Sequence, residues 1–185
     1  LPSLLAVSGS PSADSGTALV VDRVVRRLAL AGHGTAHLSV RDLPAADLLA
    51  GRVTGPALRG AVEKVAAADG LIVATPVYKA SYTGLLKAFL DLLPQSGLAG
   101  KTVLPLATGG SLAHVLTIDY ALRPVLSALG ARHVVTGCFV LDSAIERLGT
   151  GSVRLEAATD LRLLQAVDGF TDALSPGVPL AAAAS

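Results

Sequence analysis

The chain has 185 residues, 51% hydrophobic and 16% charged, which is enough apolar material for the core of one domain and too much for a disordered chain. A formal net charge of +1 gives no reason to expect nucleic-acid binding or attraction to an anionic membrane, so a small-molecule ligand is the expected partner. Cys138 is the only cysteine, which excludes an internal disulfide, and no apolar run approaches the roughly 18 residues of a spanning helix. The start at Leu1 has no basic region followed by an apolar stretch; it reads as trimmed and not as a signal peptide, and a cytoplasmic location is the expectation.

In chain order, Leu4 to Ser8 reads as a buried strand, and Leu19, Val20, Val24 and Leu28 recur at helical spacing within Ala18 to Leu30. Gly32 and Gly34 end that helix. Thr35 to Val40 predicts a second strand, and Pro44 to Gly55 a connection with a short helical turn. Pro56 opens a helix through Ala68, followed by the continuously apolar strand Leu71 to Ala74 and a helix from Thr83 to Leu93. The alternation continues with a strand over Lys101 to Ala107, a helix over Leu112 to Leu129, a strand over His133 to Phe139 and a helix over Leu155 to Leu174. Five strands alternating with five helices predict a doubly wound α/β domain over residues 1–175. Pro176 to Ser185 reads as a low-complexity tail.

In such a sheet, ligands sit at the carboxyl edge of the strands, and three loops leaving that edge carry small or planar residues. Ser8 to Thr17 places hydroxyls and backbone N–H groups at a helix start, where an anion is favoured. Its spacing matches neither a P-loop nor G-x-G-x-x-G, so triphosphate and Rossmann dinucleotide readings lose support. Thr75-Pro-Val-Tyr-Lys79 follows the third strand; the chain holds three Tyr, three Phe and no Trp, and two of these six, Tyr78 and Tyr82, fall in this loop. A planar ligand accounts for that placement, as does local packing or a subunit contact. Thr108-Gly-Gly-Ser111 follows the fourth strand and permits close backbone approach.

Cys138 lies within a strand pattern and reads as core, while His33, His37, His114 and His133 lack ligand spacing, so neither a metal centre nor a Cys–His catalyst is expected. There is no G-x-S-x-G nucleophile elbow. Pro124 falls inside the helical pattern of Leu112 to Leu129, where it removes a donor to the carbonyl of Tyr120; a kink or a π-bulge follows.

The segments Ala74-Thr-Pro-Val-Tyr-Lys-Ala-Ser-Tyr-Thr-Gly84, Lys101-Thr-Val-Leu-Pro-Leu-Ala-Thr-Gly-Gly110 and Asp119-Tyr-Ala-Leu-Arg-Pro-Val-Leu-Ser-Ala-Leu129 resemble the NADPH-dependent FMN reductases of alkanesulfonate two-component systems. The likeness is specific from Ala68 to Gly137 and looser from Leu4 to Leu30. It implies a flavodoxin-like five-stranded parallel sheet of order 2-1-3-4-5, hydride transfer from NADPH to FMN, and delivery of reduced flavin to an FMNH2-dependent monooxygenase. It further implies that Ser10, Ser15 and Thr17 hold the flavin phosphate, that Pro76, Val77, Tyr78 and Lys79 border the ring, and that Thr108, Gly109, Gly110 and Ser111 close its other side. Tyr120 falls where the family carries a π-helical tyrosine at a tetramer interface, so a homodimer or homotetramer is implied.

The first loop departs from many relatives: Ser8 to Asp22 has no basic residue and contains Asp14, which fits a flavin exchanged as substrate better than one tightly kept. Hydride transfer asks for stacking of nicotinamide on flavin, and no catalytic side chain is assigned. The competing readings are an NAD(P)H-dependent quinone, azo or chromate reductase with tightly bound FMN, a flavodoxin-like electron carrier, and an interaction module that lost its ligand. A carrier usually presents an acidic docking face, and no acidic run is present.

Overall fold

In the computed structural model, which describes residues 1–149 and 153–174, the continuously apolar segments become parallel strands of one sheet. These are β1 (Ser3–Ser8), β2 (Gly34–Ser39), β3 (Gly70–Pro76) and β4 (Thr102–Gly109), with a fifth line in two pieces, β5 (His133–Val134) and β6 (Cys138–Leu141). Hydrogen bonding runs β2-β1-β3-β4-β5, and β6 continues the pairing with β4. The order reverses between β1 and β3, and that reversal opens a crevice at their carboxyl ends.

Strand alternation sends the two core faces in opposite directions. Leu5, Val7, Leu71, Val73 and Val103 meet Leu58 of α3 (Pro56–Ala67), after the short α2 (Ala45–Leu49), Phe89 of α4 (Gly84–Leu90), and Leu126 of α5 (Arg123–Ala128). Leu4, Ala6, Ile72, Ala74, Leu104 and Leu106 meet Val20, Val24 and Leu28 of α1 (Gly16–Leu30) and Leu163, Val167 and Phe170 of α6 (Ala157–Leu174). A sheet covered on both faces explains why β3 and β4 are buried at every position. Among the described residues no helix is long and apolar enough to cross a membrane.

The expected helix over Leu112 to Leu129 is instead three pieces. A 3₁₀ turn at Leu112–His114 leads to a π-helical turn at Ile118–Leu122, and only then does α5 begin. Pro124 has no N–H for the Tyr120 carbonyl, and the preceding N–H, of Arg123, donates to Ile118, five residues back. Of the two outcomes the sequence allowed, the π-bulge is the one formed.

The expected single strand over His133 to Phe139 is interrupted at residues 135–137. Opposite the break is Pro105 of β4, whose carbonyl would lie 2.3 Å from a Cβ added at Gly137. Pro105 turns its polar edge to this line yet has no N–H to give, so the ladder fails there and resumes at Cys138. The Val134 and Val135 carbonyls next to the gap accept from the Arg123 guanidinium at 2.5 and 3.2 Å.

The third difference lies near the carboxyl end. Leu155 closes a strand and does not open the last helix: β7 (Ile145–Arg147) and β8 (Val153–Leu155) form an antiparallel hairpin, and α6 starts at Ala157. The segment Pro176 to Ser185, read as a tail, lies outside the described residues.

Candidate functional site

The β1–α1 loop is locked from three sides. The Gly9 N–H donates to the Ala74 carbonyl at 2.9 Å, and the Thr83 hydroxyl donates to the Gly9 carbonyl at 2.6 Å. A Cβ at Gly9 would stand 2.4 Å from that of Leu86, so only glycine lets the loop pass this close to α4. Thr83 also caps α4 by accepting from the Leu86 N–H, and its own N–H donates to Thr75 at the end of β3. The loop therefore leaves the sheet in one defined direction.

At the far end of the loop Ser15 caps α1, accepting from the Ala18 N–H at 3.1 Å. Thr17 is buried and shares a 2.7 Å hydroxyl–hydroxyl hydrogen bond with Thr108 of β4. The first N–H groups of α1 have no partner within the helix and face the crevice with the positive end of its dipole.

On the opposite wall, Val77 donates its N–H to the Thr108 carbonyl at 2.8 Å, and Tyr78 and Ser81 exchange backbone hydrogen bonds across a two-residue turn. Both turn residues, Lys79 (φ 51°) and Ala80 (φ 63°), are left-handed, a pattern that ordinarily recruits Asn and Gly. The Thr117 hydroxyl donates to the Ala80 carbonyl at 3.3 Å and ties this turn to the segment leading into the π-helix.

Between these walls is a cavity of about 330 Å³ lined by Ser15, Gly16, Thr17, Pro76, Tyr78, Thr108, Asp142, Ile145 and Arg147. Larger grooves exist elsewhere on the surface, but this is the cavity at the carboxyl edge where the sheet order reverses.

Five of the eleven residues assigned to the ligand, Ser15, Thr17, Pro76, Tyr78 and Thr108, meet in it. The other six take different positions. Ser10 is only 2% exposed and bonds with the backbone of Ser12. Val77 packs with Phe139 and Ile118 behind the wall, and Lys79 is exposed at the turn. Gly109 is buried where a Cβ would meet the Phe139 ring at 3.2 Å, and Gly110 is exposed beside Asp142. Ser111 accepts from the Ala113 N–H and caps the 3₁₀ turn. Tyr120 lies away from the cavity, 79% exposed.

Three cavity residues lie outside the loops singled out from the sequence, Asp142, Ile145 and Arg147. The β7–β8 hairpin packs on the start of α1, where a Cβ at Gly16 would stand 2.8 Å from Ile145 and 3.2 Å from the Asp142 carboxylate. It also carries the Arg147 guanidinium to the backbone carbonyl of Asp14. The loop with no cation of its own thus receives one from 133 residues away. The signal that could have found it was local: the alternation Ile145-Glu-Arg147 and Val153-Arg-Leu155 around Gly149 and Gly151 fits a hairpin.

The donor set suits a flavin mononucleotide: helix N–H groups and a guanidinium are available to a phosphate, and Pro76 and Tyr78 in the same cavity offer flat surface to a ring. Cys138 is buried outside this cavity, and burial pushes its thiol up, away from the reactive thiolate.

A family model described as NADPH-dependent FMN reductase matches residues 2–146. The chain is 46% identical to the FMN reductase (NADPH) of Pseudomonas putida over 173 residues, 93% of this chain and 88% of that protein. A solved structure of an NADH:FMN oxidoreductase (EMOB) in apo form is 48% identical, covers 97% of this chain and 92% of that one, and superimposes with a TM-score of 0.86. Flavodoxin 1 of Bacillus cereus, at 17% identity and a TM-score of 0.65 over 94% of this chain and 99% of that one, shares the fold alone. With a flavodoxin-like sheet, a cavity at its switch point and these relatives, the chain belongs to the NADPH-dependent FMN reductase family of oxidoreductases.

Proposed function

We propose that this chain takes hydride from NADPH to reduce FMN that enters and leaves as a substrate, and that the reduced flavin goes to a partner monooxygenase of the sulfonate-sulfur type. The observation that carries the reading is the cavity itself, which brings the α1 start and Arg147, both suited to an anion, together with Pro76, Tyr78 and Thr108. When bound, the flavin supplies the hydride-accepting ring. The chain's own part is placement.

In this reading Ser15, Gly16 and Thr17 present the helix start to the phosphate; the Ser15 oxygen accepts the cap hydrogen bond with its O–H left to donate, and Thr17 pairs with Thr108. Ser10 supports the loop from within. Pro76 and Tyr78 form one border of the ring with Val77 packed behind them, and Lys79 stands at its exposed rim. Thr108 forms the other border, with Gly109 behind it, Gly110 exposed beside Asp142 and Ser111 bracing the turn that follows. Tyr78 is 50% exposed, which leaves the nicotinamide a way in from solvent. The same family likeness supports a cytoplasmic enzyme and a homodimer or homotetramer, with exposed Leu112, Val115, Leu116 and Tyr120 forming the apolar contact.

Anaerobic titration with NADPH, with and without added FMN, tests the reading. Colourless protein that oxidises NADPH only when FMN is added, saturably, is the expected result. Protein purified yellow, with ping-pong kinetics toward quinones, would instead indicate a flavoprotein quinone reductase. NADPH oxidation absent under both conditions would remove the enzymatic reading.

A further inference from the structure

We propose that Arg147 is the residue by which this chain selects a phosphorylated flavin over riboflavin, the hairpin supplying the cation that the first loop lacks; this rests on the flavin-reductase reading above. Three observations converge. No Lys or Arg occurs between Ser8 and Asp22, so the loop can offer a phosphate only N–H groups and hydroxyls. Those hydroxyls are neutral donors and some are already committed: Ser10 donates to the Ser12 carbonyl, and Thr17 and Thr108 spend one O–H on each other. Arg147 lines the same cavity as Ser15, Gly16 and Thr17, and its Nη2 donates to the Asp14 carbonyl in the loop itself.

A guanidinium carries five N–H donors in a planar fork, and the Asp14 contact takes one; that contact fixes the group over the loop before a ligand arrives. The cavity also holds a carboxylate that works against an anion. Asp142 lies between Gly16 and Gly110, with its two oxygens 3.2 and 3.9 Å from where their Cβ atoms would be. The side-chain charges of Arg147 and Asp142 cancel, so the cavity owes its preference for a phosphate dianion to Arg147 and the α1 start together. Without Arg147 the phosphate would face Asp142 with only helix N–H groups and neutral hydroxyls to hold it. Riboflavin, which has the same ring and no phosphate, should not register the difference.

The test is equilibrium titration of the purified chain with FMN and with riboflavin, read by quenching of flavin fluorescence, for wild type, Arg147→Gln, Arg147→Lys and Asp142→Asn. Loss of one charge-assisted contact predicts an FMN Kd about ten- to a hundredfold weaker in Arg147→Gln, with the riboflavin Kd within about twofold. Arg147→Lys should recover part of the loss, because it restores charge without the fork, and Asp142→Asn should tighten FMN about two- to fivefold. Raised salt should weaken FMN binding by wild type and not by Arg147→Gln.

Equal weakening of both flavins in Arg147→Gln would show that the residue only braces the hairpin and would overturn the inference. So would wild type that binds riboflavin as tightly as FMN, though the reductase reading would survive that result. Wild type that binds neither flavin would remove both.

Discussion

The two walls of the cavity are built on opposite principles. The wall proposed to take the phosphate, from Gly9 to Thr17, is held by backbone and hydroxyl bonds to three different elements, and Ser15 caps its helix in an unstrained extended conformation. The wall proposed to border the ring, from Pro76 to Ser81, ends in an exposed turn whose two central residues are left-handed without being glycine or asparagine. Locally stored strain of this kind costs of order 1 kcal/mol or more per residue and persists where the surroundings hold it. Under the proposed function the contrast teaches a division of labour: a fixed wall for the part of the ligand that does not react, and a tensed, accessible wall for the side where a second substrate would come and go. Five substitutions, at four places, would break or sharpen it.

The largest effect is expected at Gly9. A methyl there would overlap Leu86 at 2.4 Å, with helix backbone close behind, and neither neighbour can rotate away. Gly9→Ala should cost about 3 kcal/mol, lowering Tm by roughly 6–12 °C, and should weaken FMN binding as the loop is displaced. A Tm within about 2 °C of wild type would show that the phosphate wall is not the rigid member of the pair.

Next is the Thr17–Thr108 hydroxyl pair, which ties the start of α1 to the end of β4. Thr17→Val leaves a buried hydroxyl on Thr108 without its partner and should cost about 2 kcal/mol. Adding Thr108→Val should cost little more and can recover stability, since the apolar pair leaves no orphan. A double-mutant cycle by chemical denaturation reads the coupling, and strict additivity would mean that the bond contributes nothing of its own.

Much of this contrast was written locally and could be read locally. The strands, the order in which they alternate with helices, and the turns after β3 and β4 follow from apolar runs punctuated by Gly and Pro, as at Leu71 to Pro76 and Thr102 to Gly109. The distortion at Tyr120 was legible because Pro124 withholds a specific hydrogen bond. Beyond the convergence of the loops at the carboxyl edge, which the strand alternation implied, the sequence did not reveal which particular side chain meets another segment. The break at residues 135–137 is decided by Pro105 on the neighbouring strand. Arg147 belongs to the cavity only because a hairpin folds back 133 residues to Asp14. Ser10, Val77 and Ser111 have the right residue types at the right loops, yet burial and capping, which are tertiary facts, turn their side chains to support.

The ring wall can be relaxed without touching the cavity. Ala80 has its Cβ in the left-handed region at φ 63°, and glycine accepts that conformation without a steric cost. Ala80→Gly should therefore raise stability by about 1 kcal/mol, or Tm by roughly 2–4 °C, the opposite sign from Gly9→Ala. The added freedom of glycine in the unfolded chain works against this gain, so a fall in Tm would show that the turn carries little strain and would erase the contrast.

The smallest effect belongs to the base of the phosphate wall, where Ser8 Oγ lies 2.8 Å from His37 Nε2 on the edge strand β2. Burial lowers the His37 pKa from its ordinary 6.5, while Asp22 of α1 and Asp42 pull it back up. A histidine that resists protonation in the folded chain binds its proton more readily when unfolded, so the unfolded state gains stability as pH falls. The contribution is intact above about pH 6.5 and is lost as pH drops from there through the lower folded value. His37→Gln keeps a hydrogen-bonding group beside Ser8 and cannot titrate, so its Tm should fall less than that of wild type between pH 7 and pH 5, with the two curves closest above pH 7. Because the ring is partly open to water, the separation should be small, below that expected for Ala80→Gly. Parallel curves across that range would mean that His37 takes up its proton in the folded chain unhindered, and that the first strand feels pH no more than the exposed turn does.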